Sequence, residues 1–375
     1  MTLPRLTATL ILICAAASLS TRSNAFSQNS NLNDADIASH FAPIFYQALG
    51  DKPRSDYITN FDFDGDWKGN NNWENLANAE FPLKAYIYFS VAETATHFFI
   101  HYAVFHPRDY KGGERKGTIL SDLIREGQKA GGKYDPTGLG DEAALAHEND
   151  MEGALVVAKK NGNHLDDAEV VFVETLAHNK FNRYQPDESQ AGFSKLMLEG
   201  QHPLLYIEPK GHGIEAYSGD PKQTSKKEFL RYKVGQHADD PAMKDSVCRD
   251  LETTRCEKSV SYSLLLLSTL WAKAKADVNE TYGIAYDYGE LKISTSLSGS
   301  AVSEKKFKIG KVGCAFLGSV GGINMARPPW GWFDRDERDQ PLGSWFFDPA
   351  LRIKRDFNLD SSFSTTYVRL PFWAK

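Results

Sequence analysis

The sequence predicts a β-rich α+β fold, an antiparallel β-sandwich with helices packed outside it. Three observations predict it. Apolar stretches of strand length recur in pairs joined by short polar turns: Leu83 to Val91 with Thr96 to Phe105 around Glu93-Thr94-Ala95-Thr96, and Leu155 to Ala158 with Ala168 to Leu176 around Lys160-Asn161-Gly162-Asn163. Aromatic residues make up 12% of the chain, among many Gly, Asn and Asp, which suits β-structure with tight turns. The few stretches with helical spacing are short and lie outside these pairs.

Residues 1–25 read as a secretory signal. Arg5 gives the charged start, Leu6 to Ala17 the apolar segment and Ser23-Asn24-Ala25 the small-residue cleavage site. That apolar segment is too short for a stable bilayer span, and no other stretch is long and apolar enough. A secreted or periplasmic protein is expected. Removing Arg5 and Arg22 with the leader takes the formal net charge from −6 to −8. An acidic balance argues against nucleic acid and anionic lipid as generic partners, and leaves glycans and zwitterionic lipid head groups. Residues 26–375 read as a single β-rich domain, with a core at 80–220 and an aromatic C-terminal part at 280–375.

Within it, residues 33–50 are expected to be helical, with Asn33 or Asp34 as the cap and Gly50 as the stop. A charged helix is expected over 242–258, and a buried packing helix from Tyr262 to Ala276. Ile119 to Ala130 has the spacing of a short amphipathic helix inside a long polar excursion. Cys248 and Cys256 could close a local disulfide, while Cys314 lies in an apolar run and reads as buried and free; the alternative is that all three are reduced. The loops around Trp330-Gly331-Trp332 and Trp345-Phe346-Phe347 are either ligand grips or aromatic clamps that close the core.

The chemistry concentrates at strand ends. His147-Glu148-Asn149-Asp150-Met151-Glu152 enters an apolar strand. Asp150 and Glu152 are two residues apart, so both carboxylates share a face. His147 has the opposite parity and needs a turn or bulge to join them. Two other apolar strands end in a potential ligand, one at Asp109 and one at His212 in Gly211-His212-Gly213. Hard oxygen donors with an imidazole at one rim suit a divalent cation, Mg2+ or Ca2+. A second cation loop is conceivable at Asp62, Asp64 and Asp66 around Gly65; the same residues equally suit a turn in which carboxylates cap backbone amides.

The His-x-x-Asp-x-Glu run before a hydrophobic strand resembles the core motif of the necrosis- and ethylene-inducing-like proteins. It is similar also to the His-Glu-x-Asp-x-Glu run of the vacuolar protein sorting-associated protein 62 family, whose later Gly-x-His resembles Gly211-His212. The resemblance spans roughly 80–220; Ala146 stands where the first family has Gly, and Met151 where it has Trp. It implies Asp109, His147, Asp150 and Glu152 as cation ligands. It also implies an exported protein that acts on membranes or glycans, with the ion as a binding element. Two further functions stay open. One is a metal-dependent hydrolase of phosphoesters or esters, with His212, or His106 beside Asp109, as general acid or base. The other is a structural or binding exoprotein without catalysis.

Overall fold

The computed structural model describes residues 33–370, apart from 51, 110–146, 163, 187–192, 220–222, 224–227, 251–254, 277–279, 297–300, 319–325 and 338, and without the side chains of 147, 249, 250 and 255. The expected leader and the helix expected at Ile119 to Ala130 lie outside the described residues. In chain order the strands are β1 (Ile44–Ala48), β2 (Tyr86–Thr94), β3 (His97–Asp109), β4 (His147–Lys160), β5 (Ala168–Ala177), β6 (Lys180–Gln185), β7 (Ser194–Lys195), β8 (Leu198–Glu199), β9 (His202–Ile207), β10 (Ile214–Ala216) and β11 (Glu228–Val234). Then come β12 (Val247–Asp250), β13 (Arg255–Leu266), β14 (Tyr282–Asp287), β15 (Glu290–Thr295), β16 (Ser303–Lys308), β17 (Lys311–Phe316) and β18 (Tyr367–Arg369). The helices are α1 (Asp34–His40), α2 (Pro53–Asp56), α3 (Asn72–Leu76), α4 (Ser268–Ala276), α5 (Ser344–Phe347) and α6 (Pro349–Asp356).

The β-rich character is as expected, but the layout is not an antiparallel sandwich. The main path runs β10-β9-β1-β11-β13-β2-β3-β4-β5-β6-β7 as one mixed sheet. β2 through β6 pair antiparallel, whereas β1 with β9, β11 with β13, and β13 with β2 are parallel. The sheet curls into a half-barrel. Its β10 edge comes round to β5, where the Thr175 hydroxyl donates to Ile214 O at 2.5 Å.

The same pairing explains the helices that fail to form. Only Asp34–His40 is helical in the first segment, with the Asn33 side chain accepting from Asp36 N–H at 2.8 Å. Ile44–Ala48 is a strand because it fills the slot between β9 and β11, and that pairing outweighs local propensity. The described residues of 242–258 form the end of a short 3-10 turn, β12 and the start of β13, and the Cys248–Cys256 disulfide joins the two strands. Of the packing helix from Tyr262, the first part is the end of β13, and α4 begins at Ser268. Cys314 is buried and free.

The C-terminal aromatic loops are clamps. Trp330, Trp332, Trp345 and Phe346 are all buried. Trp345 Nε1 donates to Glu174 at 2.9 Å, and its carbonyl accepts from His101 Nε2–H at 2.7 Å. His101 therefore keeps its proton on Nε2 and presents Nδ1 to the Ser90 hydroxyl, 3.2 Å away. α6 is tied to the sheet by ions. Arg352 pairs with Asp356 and lies 3.7 Å from Glu174, while Arg183 reaches Glu174 at 3.3 Å and Glu337 at 2.6 Å.

Two outcomes follow. Arg352→Met removes the buried cation that Glu174 and Asp356 share and leaves them to the partly exposed Arg183 and Arg355, a loss of about 2–3 kcal/mol in unfolding free energy; denaturant titration showing a change below about 1 kcal/mol would mean that the network is not a buried clamp. Burial, with no charge to offset it, lowers the His101 pKa to about 4. A depressed histidine contributes stability above its unfolded value of 6.5 and loses it as the pH falls towards 4. Stability should decline over that window, and less so in His101→Gln; identical declines in the two proteins would contradict this.

Candidate metal centre

The site begins where β3 and β4 run out of partners. Their antiparallel register sets Asp109 opposite His147, Arg108 opposite Glu148, His106 opposite Asp150 and Val104 opposite Glu152. Asp150 and Glu152 thus share a face with His106. Asn149 sits in left-handed backbone at φ 59°, a conformation asparagine tolerates better than most residues, and the β3–β4 register continues past it without a shift. Its buried amide donates to Gly69 O at 2.6 Å and Leu317 O at 2.7 Å, and accepts from Asn72 at 2.6 Å. Neighbouring Glu148 accepts from Trp73 N–H at 3.2 Å, and the Arg108 guanidinium lies 3.6 Å over the Trp73 ring. The side chain of His147 lies outside the described residues.

His212 arrives on the turn between β9 and β10, where Lys210 and His212 both have positive φ. Nδ1 donates to Asp150 Oδ2 at 2.9 Å and Nε2 to Asp56 Oδ1 at 3.2 Å. Both acceptors are carboxylates, so both ring nitrogens carry a proton. Burial alone would lower the pKa of this imidazole; the hydrogen bonds and charges of Asp150 and Asp56 outweigh it and raise the value to about 10. The His106 ring stacks on His212 with centroids 3.8 Å apart and planes 7° from parallel. Burial and the charge of His212 hold His106 well below the usual histidine value, so it is neutral. Its Nδ1 is buried without a hydrogen-bond partner.

Glu152 is the least compensated acid. Oε1 accepts from His178 N–H at 3.1 Å, whereas Oε2 is buried with no partner. Burial first, then the charge of Asp150, push its carboxyl well above the usual range; the His178 hydrogen bond opposes them, and Asp109 and Glu208 add to them. Asp109, Asp150 and Glu152 are 4%, 7% and 7% exposed, so little water reaches these charges. His178 and Asn179 form the two-residue β5–β6 turn, both at positive φ as a type I′ hairpin needs. The His178 ring pairs with Glu208. A Cβ on Gly211 would lie 2.7 Å from His178 Cε1, so glycine there makes room for the imidazole. Among the described residues, five of the six non-glycine positive-φ positions are Asn149, His178, Asn179, Lys210 and His212; the sixth is Asn358. Such clustering of backbone strain marks a site that the surrounding fold holds in place.

The compact group of ligand atoms is not the expected quartet. His106, Asp150 and His212 each offer one atom within 4.8 Å of the others, close enough to hold an ion. An ion lies in the plane of each imidazole that binds it, and two stacked parallel planes share no such point. Both rings could serve one ion only if the stack opened and His212 gave up a proton. The expected Asp109, Asp150 and Glu152 are instead linked through their charges on Glu152. The three acids of the second expected loop accept side-chain amide hydrogens: Asp62 from Asn60 at 2.8 Å, Asp64 from Asn75 at 2.6 Å and Asp66 from Asn71 at 3.1 Å. Sequence reasoning missed Asp56, which sits in a four-residue helix with no motif around it, and it missed His178. The turn pattern Ala177-His178-Asn179-Lys180 was the available signal for the latter.

No protein-family model matches the chain, and no curated protein matches it in sequence. Among solved structures it is similar to one described as a toxin fold for microbial attack and plant defense, at 14% identity and a TM-score of 0.28, over 48% of this chain and 66% of that one. It is similar to Necrosis and Ethylene inducing Protein 2 from the causal agent of cocoa's Witches Broom disease, at 14% identity and 0.28, over 49% and 69%. A third is NLPPya in complex with mannosamine, at 16% identity and 0.26, over 48% and 65%. The chain spans about two thirds of the length of these proteins. At these values the likeness is a distant one of fold and says nothing of activity or ligand.

Proposed function

We propose that the chain is an exported protein that holds one divalent cation, Mg2+ or Ca2+, at the end of β3 and β4. Asp109, Asp150, Glu152 and His147 supply the ligands. The observation that carries this reading is Glu152, a buried carboxylate with one oxygen unpartnered and three other acids raising its pKa. Buried like charges of this kind are relieved by protonation or by a cation, and hard oxygen donors select Ca2+ or Mg2+. His212 is engaged by two carboxylates and acts as the support that aims Asp150, in the way outer partners orient metal ligands. The ion is a binding element for a glycan or lipid head group and not a reaction centre. The Cys248–Cys256 disulfide fits an oxidising compartment.

Elemental analysis of the purified protein should find about one Mg or Ca per chain. Chelation should lower the Tm by several degrees, and the added ion should restore it. A metal-free protein indifferent to chelator and to added ion would contradict the reading, and chelator-sensitive turnover of a phosphoester would replace it with the hydrolase. Glu152→Gln should weaken ion binding by calorimetry at least tenfold. The ion-free Tm should hold or rise, because a buried charge beside Asp150 is gone. Unchanged affinity would remove Glu152 from the site.

A further inference from the structure

Beside the carboxylates, on the far side of His178, lies an open cleft of about 640 Å³ that the ion site does not use. Its two walls carry opposite charge. One wall comes from β9 and β10 and their connection, and bears Glu208 and Glu215. Lys210 is on this wall too, but it is only 9% exposed; Glu215 is exposed, and the partly buried Glu208 is paired with the His178 ring. The other wall comes from the β5–β6 hairpin and the segment docked on it, with Lys180, Asn182 and Arg335. Arg335 is fixed to that hairpin by its N–H, which donates to Asn179 O at 2.8 Å. Lys180 meets Asp336 at 3.5 Å, with both side chains about half exposed, so the pair holds it weakly.

A cleft of one sign gathers ions of the other sign; two facing walls of opposite sign favour a ligand that carries both charges. We propose that this cleft seats a zwitterionic phosphoester head group, with its ammonium against Glu215, beside the Glu208–His178 pair, and its phosphate against Lys180 and Arg335. The volume is ample for such a group, and arginine and lysine are the usual phosphate donors. The proposal deepens the ion-binding reading and rests on it for context, because His178 belongs to both places. Its N–H holds Glu152, while its ring pairs with Glu208 at the cleft. A phosphate oxygen is also a hard donor of the kind that Mg2+ or Ca2+ accepts.

The test is calorimetric titration of the full chain, with Mg2+ or Ca2+ present, by phosphoethanolamine, by ethanolamine and by inorganic phosphate. Phosphoethanolamine should bind at least tenfold more tightly than either half alone. Lys180→Ala and Arg335→Ala should each weaken it by roughly fivefold. Glu215→Gln should do the same, and all three variants should keep the wild-type ion affinity. Phosphate binding as tightly as phosphoethanolamine, or affinity unmoved by all three substitutions, would overturn the proposal. Ion binding without phosphoethanolamine binding would sink it alone; absence of ion binding would instead sink the ion-site reading. Vesicles with phosphatidylethanolamine distinguish the source. Binding to them at matched head-group concentration assigns a lipid, and binding only to the soluble compound assigns a free ligand.

Discussion

Three carboxylates shut away from water at the end of one strand pair are the constraint on which the rest depends. Asp109, Asp150 and Glu152 cannot all be charged in that setting unless something positive meets them. The fold supplies part of the answer. His212 brings an imidazolium to Asp150, with Asp56 behind it, and His178 brings a backbone N–H to Glu152. Glu152 Oε2 remains unpartnered after both. A hydrogen-bonded scaffold that leaves a buried carboxylate oxygen of Glu152 open is what a cation site needs when an ion completes it.

Much of the remaining architecture holds that cluster still. The curl of the sheet brings the β9–β10 turn over β4 and β5, which lets residue 212 reach residue 150. Asn149 fastens the motif to two other segments by its buried amide. Trp332 Nε1 donates to Met151 O at 3.1 Å, between Asp150 and Glu152 in the chain. Its ring fills the space that a Cβ on Gly153 would occupy, 2.5 Å away. The aromatic C-terminal part therefore contributes to the site by packing from behind, and its tryptophans are spent on the core rather than on a ligand.

The hairpins β2–β3 and β4–β5 were legible because alternation and turn residues agree there at short range. That Asp150 and Glu152 share a face was legible from strand parity. β1 was not legible, because a five-residue apolar segment has no period that separates helix from strand, and its state is decided by β9 and β11. The parallel run β11-β13-β2 was hidden for the same reason: its partners are distant in sequence, so the sandwich expectation failed. Asp56 lies 156 residues from His212 and carries no local signature. His106 was visible only as a neighbour of Asp109, and its stacking on His212 is a product of the curl.

The most direct measurement is a crystal structure of the protein loaded with Ca2+, with the ion located by its anomalous signal. The account predicts one ion within about 2.3–2.6 Å of oxygens from Asp109, Asp150 and Glu152, with the His106–His212 stack intact. An ion held between the two imidazoles with the stack opened, or one bound only by Asp62, Asp64 and Asp66, would contradict it.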